Sequence, residues 1–390
     1  MNLFVKRLLS IDIFRAVIMF LMIFINEISS VKNLPSWIHH ATANGDSMGV
    51  ADMVFPAFIF IMGLSIPLAI NNRIKRNDSD YEIYNHIVNR SAALIIIGFY
   101  QVNLDVYNPA SYLPKAVWTL IVTTSFFLIW LNYSKTFNKL IKYSLIATGW
   151  LLLLIMALLF KSKNSPQIFT MQTLWWGILG ILGWSYLVCT IVYYIFKKSF
   201  YSLIIIFILF GSVNIAQHAG FLNEKIWVIG DASSITLTMG GIICTMVYVK
   251  IINKIMYKKL WVYLTASATF FILLGFLLRP YTEGISKINS TPAWVFICLG
   301  FSILLFEIFI YLIDIRVHNN LFNSIRPAGT STLTCYIMPY FIVYLMQLFD
   351  IKYPEFLNEG IGGIISGFSI SFLVIWIVGQ MEKKNLVLKI

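Results

Sequence analysis

ADMVFPAFIFIMGLSIPLAI, residues 51–70, runs for twenty residues with one ionisable group, Asp52, near its start. Twenty helical residues rise about 30 Å, which matches the hydrocarbon core of a bilayer. The chain repeats this pattern. Apolar runs of similar length fall at about 8–28, 50–71, 86–104, 114–133, 142–160, 173–196, 200–217, 232–250, 259–278, 293–313, 329–348 and 360–380. Hydrophobic residues make up 59% of the 390, charged residues only 12%, and the mean hydropathy is +0.79. Soluble domains carry about 25% charged residues, so this chain has too little charge to coat a water-facing surface. The expected fold is all-α: a polytopic transmembrane bundle of about twelve helices forming a single domain, 1–390.

Lys6 and Arg7 precede the first run, but that run holds Asp12 and Arg15 and lacks a small-residue cleavage site, so it reads as a retained helix. With the N-terminus inside, the inner segments hold 20 Lys and Arg and the outer segments 8. This bias predicts both termini in the cytoplasm. The net charge of +12 is then a topology signal, and no nucleic-acid partner is expected. No loop is long enough for a separate soluble domain, so any chemistry belongs in the membrane or at its two faces.

Charged residues within spans are costly in lipid and mark function by default. Asp12 and Arg15 stand three apart on one helix face and can pair. An ion pair that locks packing and a polar lining at the inner mouth of a cavity are both open. Asn26 and Glu27 end the same helix, and the loop that follows carries Trp37, His39, His40, Asp46 and Asp52. This is the densest group of ionisable residues in an outer loop. Asp52 begins the second helix, where the dipole favours a carboxylate, so a plain N-terminal anchor is one reading of it. A His with a nearby carboxylate also has the parts for acid–base or nucleophilic chemistry, although a lone loop His is more often simply solvated. Adjacent His side chains diverge and no third ligand is evident, so no metal is expected.

Other features read plainly. Cys189, Cys244, Cys298 and Cys335 sit in apolar runs without CxxC partners and are expected to be buried thiols. Gly177, Gly180 and Gly183, spaced by three in GILGILG, suit close helix packing in lipid; no strand precedes them, so they do not form a phosphate loop. Glu307, alone in the tenth run, either bonds a neighbour or lines a cavity. His86, His218 and His318 are expected at the interfaces. Lys287, outside, is either an interfacial anchor or a contact for a polar acceptor.

RLLSIDIFRAVIMFLMIFIN (Arg7–Asn26), HATANG (His40–Gly45) and ADMVFPAFIFIMGLSI (Ala51–Ile66), in that order, resemble the heparan-alpha-glucosaminide N-acetyltransferase family and its bacterial relatives. The match is specific over about 7–67. It is weaker over 229–245, 285–294 and 327–341, and helices at about 142–217 look additional. The resemblance implies transfer of an acetyl group from cytosolic acetyl-CoA to an extracytoplasmic amino sugar or glycan. His40 matches the family's active-site His, Asn26 its neighbouring Asn and Asp52 its carboxylate. Asp12 and Arg15 match the first-helix motif. Ala43 stands where the family has Trp, and the His40–Asp52 loop is two residues longer; both departures touch the acceptor side.

On this reading His40 is the general base or a transient acetyl carrier, Asp52 orients its ring, and Asn26 donates to the developing oxyanion. Asp12, Arg15, Arg7 and Arg73 are the expected donor-binding residues, with Arg90, Arg316 and Arg326 also available for the CoA phosphates. The expected partners are acetyl-CoA, the sugar acceptor, the lipid bilayer and a second copy in a homodimer. The expected location is a bacterial cytoplasmic membrane. A transporter or flippase of a polar or glycan-linked substrate is the alternative, and a non-catalytic scaffold or sensor ranks below it.

Overall fold

The computed structural model describes residues 8–42, 45–134, 136–163, 170–222, 226–252, 257–316, 319–351 and 354–390; Lys6, Arg7, Ala43, Lys135, Lys225, Lys254, His318 and Lys352 lie outside the described residues. The helices are α1 (Leu9–Ile28), α2 (Ala51–Lys75), α3 (Asp80–Val102), α4 (Lys115–Trp130), α5 (Lys139–Leu158), α6 (Gly177–Phe196), α7 (Phe200–His218), α8 (Ser233–Ile252), α9 (Tyr257–Leu278), α10 (Pro292–Phe309), α11 (Arg326–Thr330), α12 (Thr332–Leu348) and α13 (Gly360–Lys383). Among the described residues only isolated bridges depart from helix and turn. Ten of these helices are long and apolar enough to cross a membrane, and α11 with α12 forms an eleventh, bent candidate. The protein is an all-α integral membrane bundle.

α4 has only 16 residues, yet its ends meet opposite faces. On one face, the segments after α1, α7, α9 and α12 are tied together by Lys32 N–H to Asn358 O (3.0 Å), the Asp46–Arg279 pair and the His218–Glu283 pair. Asn108 N–H donates to Lys161 O (3.0 Å) and so joins the segments after α3 and α5. On the other face, Lys389 N–H donates to Trp130 O (2.8 Å) and Tyr194 O–H to Asp80. Thr330 O–H donates to Glu382. Alternation of the connections therefore makes α4 a further crossing, which with the ten long helices and the bent pair gives twelve among the described residues. The His40 face bears the fewer Lys and Arg and is called outer here.

α1, α2, α8 and α10 are mostly buried, while α5, α7, α9 and α13 turn most of their surface outward. That outward surface is apolar, with Leu151, Leu273, Ile365 and Trp376 exposed, as lipid contact requires. The glycine run works as its spacing implies. A Cβ on Gly98 of α3 would lie 2.2 Å from the Gly180 backbone nitrogen, and one on Gly183 would lie 2.9 Å from Ser91 O. Backbone meets backbone there, so no side chain can yield. Replacing Gly98 by Val should separate α3 from α6 and lower the melting temperature of the purified protein by several degrees, since overpacking typically costs about 1–3 kcal/mol. Differential scanning fluorimetry checks this.

The run expected at about 329–348 is present as α12, which begins at Thr332; α11, just before it, meets it at 93°. Gly329 packs on α1: its Cβ would stand 2.3 Å from Asp12 O, and its carbonyl accepts from Arg15 (3.2 Å), which pins α11 against α1. The four cysteines are buried and free. Glu307 accepts from Thr265 Oγ1 on α9 at 2.9 and 3.1 Å, so a neighbour satisfies it. His86 sits in the inner part of α3 and is half-buried.

Candidate functional site

The loop after α1 returns to the bundle through backbone bonds: Val50 N–H to Trp37 O (2.8 Å) and Ala51 N–H to Ile38 O (3.3 Å). Gly49 makes this crossing possible, because a Cβ there would lie 1.9 Å from His39 O. The loop is also clamped from above. Asp46 accepts from Ile285 N–H (2.7 Å) and pairs with Arg279 (2.8 Å). The Ile285 N–H and the guanidinium hold the Asp46 carboxyl below the usual carboxylate range.

These ties place His40 over the start of α2. His40 Nδ1 lies 2.7 Å from Asp52 Oδ1, and Asp52 is 1% exposed. Asp52 Oδ2 accepts from Ala41 N–H (2.9 Å) and Gly49 N–H (3.0 Å). Trp294 Nε1 donates to the Asp52 carbonyl (3.2 Å). A carboxylate with these partners acts only as an acceptor, so it draws the proton to Nδ1 and leaves Nε2 with a lone pair. Asp52 is thus both the loop's anchor and the group that orients the ring. His40 keeps 41% of its side chain exposed and, with His39, opens on a cavity of about 300 Å³ walled by Ile25, Ile28, Ile38 and Ala51.

Lys287, from the segment between α9 and α10, completes the cluster. Its Nζ is 3.1 Å from His40 Nδ1, 3.5 Å from Nε2 and 3.8 Å from Asp52 Oδ1. It is therefore not an interfacial anchor. Burial pushes its ammonium below the usual lysine range, against the pull of Asp52. The sequence offered no signal that placed Lys287 on His40. Among the described residues no three His, Cys, Asp or Glu groups converge as metal ligands would.

The family model described as a domain of unknown function (DUF5009) matches residues 7–236. The chain belongs to this DUF5009 family. It is also similar to heparan-alpha-glucosaminide N-acetyltransferase of Homo sapiens, 41% identical over 97 residues, covering 25% of this chain and 14% of that protein. The Mus musculus protein of the same name is 40% identical over 98 residues, with 25% and 14% covered. The match thus spans only 14% of the length of these two relatives.

Two larger cavities run through this DUF5009 bundle along α1, α3, α6 and α12. The inner one, about 390 Å³, is lined by Arg15, Ser65, Arg90, Tyr186, Thr332 and Tyr336 among others. The outer one, about 410 Å³, is lined by Asn26, Glu27, Gln101, Asp105, Tyr336 and Tyr340 among others. Tyr336 lines both. On α1 the track from Arg15 and Met19 to Met22, Ile23 and Asn26 follows one helical face.

The expected site residues separate accordingly. His40 and Asp52 are in contact. Asn26 lies in the outer cavity, about a third of a turn around α1 from the Ile25–Ile28 face that His40 covers, and the two cavities share only Ser29. Arg15 lines the inner cavity and donates to Ser65 (2.6 Å), Asp12 (3.3 Å) and Gly329 O (3.2 Å). It thus locks packing and lines a cavity at once. Asp12 supports it from outside the lining. Arg73 pairs with Asp78 (2.8 Å) at the end of α2 and does not line the cavity. Arg90 does, and its Nε is buried without a hydrogen-bond partner. Arg7 lies outside the described residues.

Proposed function

We propose that this chain is a membrane acyltransferase that takes an acetyl group from acetyl-CoA at the inner face and passes it to an amino sugar or glycan at the outer face of a bacterial cytoplasmic membrane. One observation carries the proposal: a buried carboxylate stands 2.7 Å from His40 Nδ1 at the outer end of a bundle that holds cavities along its length. Partial similarity to two N-acetyltransferases supports the same reaction class.

Nε2 takes the proton from the acceptor amine as it attacks the thioester carbonyl, or Nε2 itself attacks and carries the acetyl group before the amine does. Either route develops imidazolium character, which Asp52 offsets at 2.7 Å. The donor's anionic phosphates stay at the inner face, near Arg15 and Arg90, while the acyl arm follows the track along α1 and turns past Ser29, a lining residue that the outer cavity and the His40 cavity share, to reach Nε2. Asn26 lies on this track, at the outer end, rather than beside the imidazole.

Detergent-purified protein should release CoA from acetyl-CoA when glucosamine is present. Continued release, many CoA per protein, with no dependence on any amine or hydroxyl acceptor would contradict transfer. Arg90→Leu should raise KM for acetyl-CoA about tenfold or more with a smaller change in kcat, because hydrogen bonds to charged groups are worth about 1.5–3 kcal/mol. Steady-state kinetics checks this. The two cavities that Tyr336 lines also suit a transporter, which would instead take up substrate into proteoliposomes without acetyl-CoA.

A further inference from the structure

Lys287 places a primary amine against the imidazole, where the proposed reaction needs the acceptor's amine. It comes from a tight segment: Ser286 N–H donates to Thr291 Oγ1 (3.0 Å), Thr291 N–H to Ser286 O (3.1 Å), and Ser290 N–H to Lys287 O (3.1 Å). The Asp46–Ile285 bond, two residues away, joins this segment to the His40 loop. Nζ therefore sits between two clamped segments, 3.5 Å from Nε2. That is the ring nitrogen not committed to Asp52. Its side chain is 27% exposed, beside a His40 that is 41% exposed, so a thioester that reaches one reaches the other.

We infer that Lys287 is itself an acetylation site: without an external acceptor, the protein transfers acetyl from acetyl-CoA to Lys287 Nζ. The inference rests on the proposed donor and on His40 as base. In the step, the unprotonated amine attacks the thioester carbonyl carbon. A C–N bond forms, the C–S bond breaks, and Nε2 of His40 takes the proton that the nitrogen sheds and returns it to the departing thiolate. The products are an N-acetyl-lysine and free CoA. Desolvation favours the neutral amine that the step requires. The ionisable groups around it are Asp52 at 3.8 Å and His40, with His39 next in the loop and the buried thiol of Cys298 nearby on α10. Of these, Asp52 opposes the loss of the proton.

Acetylation removes the cation that faces Asp52 and fills the space over the ring. An acetylated protein should therefore be slow toward an external amine. Lys287 would act as a brake set when donor is present and acceptor is scarce.

The test incubates the full-length protein in detergent with radiolabelled acetyl-CoA and no acceptor, then maps the label by peptide mass spectrometry. CoA release with glucosamine is measured in parallel. Label should accumulate on Lys287 faster than on exposed Lys32 or Lys384, and adding glucosamine should suppress it. His40→Ala should slow it about a hundredfold or more, whereas Lys287→Arg should carry no label there and keep the charge beside Asp52. Unlabelled Lys287 in protein that turns over with glucosamine overturns this inference and leaves the transferase reading standing. Equal labelling in wild type and His40→Ala also overturns it, as simple chemical acetylation. Neither label nor turnover in folded protein overturns both.

Discussion

Replacing His40 by Ala should lower acetyl transfer by about 10²–10⁴-fold, the span that a positioned acid–base group supplies, while the protein stays folded. His40 is 41% exposed and among the described residues its ring bonds only to Asp52 and Lys287, so its loss leaves no cavity in the core. Asp52 keeps two backbone N–H partners and the Lys287 charge. Turnover of acetyl-CoA with glucosamine, measured beside a melting curve, separates lost chemistry from lost structure. A variant that keeps full turnover would remove His40 from the reaction.

The second large effect is expected at Asp52. Asn in its place keeps the shape and one acceptor oxygen for Ala41 or Gly49 N–H. Its NH₂ then faces Nδ1, and that nitrogen must accept rather than donate. The ring proton moves to Nε2, and the base is lost. Turnover should fall about a hundredfold or more, with melting little changed. Asp52→Ala goes further: it orphans two N–H groups, each costing about 1–3 kcal/mol when buried, and leaves the Lys287 charge without its partner. That variant should also melt lower. Asp52→Asn with unchanged turnover would reduce Asp52 to the anchor at the start of α2.

How much of this was legible depends on the range of each interaction. The twelve crossings could be read directly, because each is a local run of apolar residues matched to bilayer thickness. The close packing of α6 was legible in its glycines, but its partner, α3 at Gly98, was not. Nor was the packing of α11 on α1, since Gly329 meets Asp12 O on a helix more than three hundred residues earlier in the chain. One expected donor-binding residue and one expected catalytic residue stand apart from the others for short-range reasons. Arg73 has a nearby carboxylate, Asp78, that takes its charge, and a count of basic residues at the inner face is blind to such pairing. Asn26 follows Ile25, yet the 100° step of the helix turns it toward the other cavity. His40 and Asp52 stand twelve apart and were readable as a pair through the resemblance. Lys287 is 247 residues from His40, and only the packing of the α9–α10 segment on the α1–α2 loop brings them together.

The central claim is transfer across the membrane by His40, and sealed proteoliposomes test it most directly. Protein inserted with its inner face outward would receive acetyl-CoA only in the bath, with glucosamine only in the lumen. N-acetylglucosamine should form in the lumen while CoA appears in the bath, and His40→Ala vesicles should show neither. Product formed only when donor and acceptor share one compartment, or formed equally by His40→Ala vesicles, would contradict it.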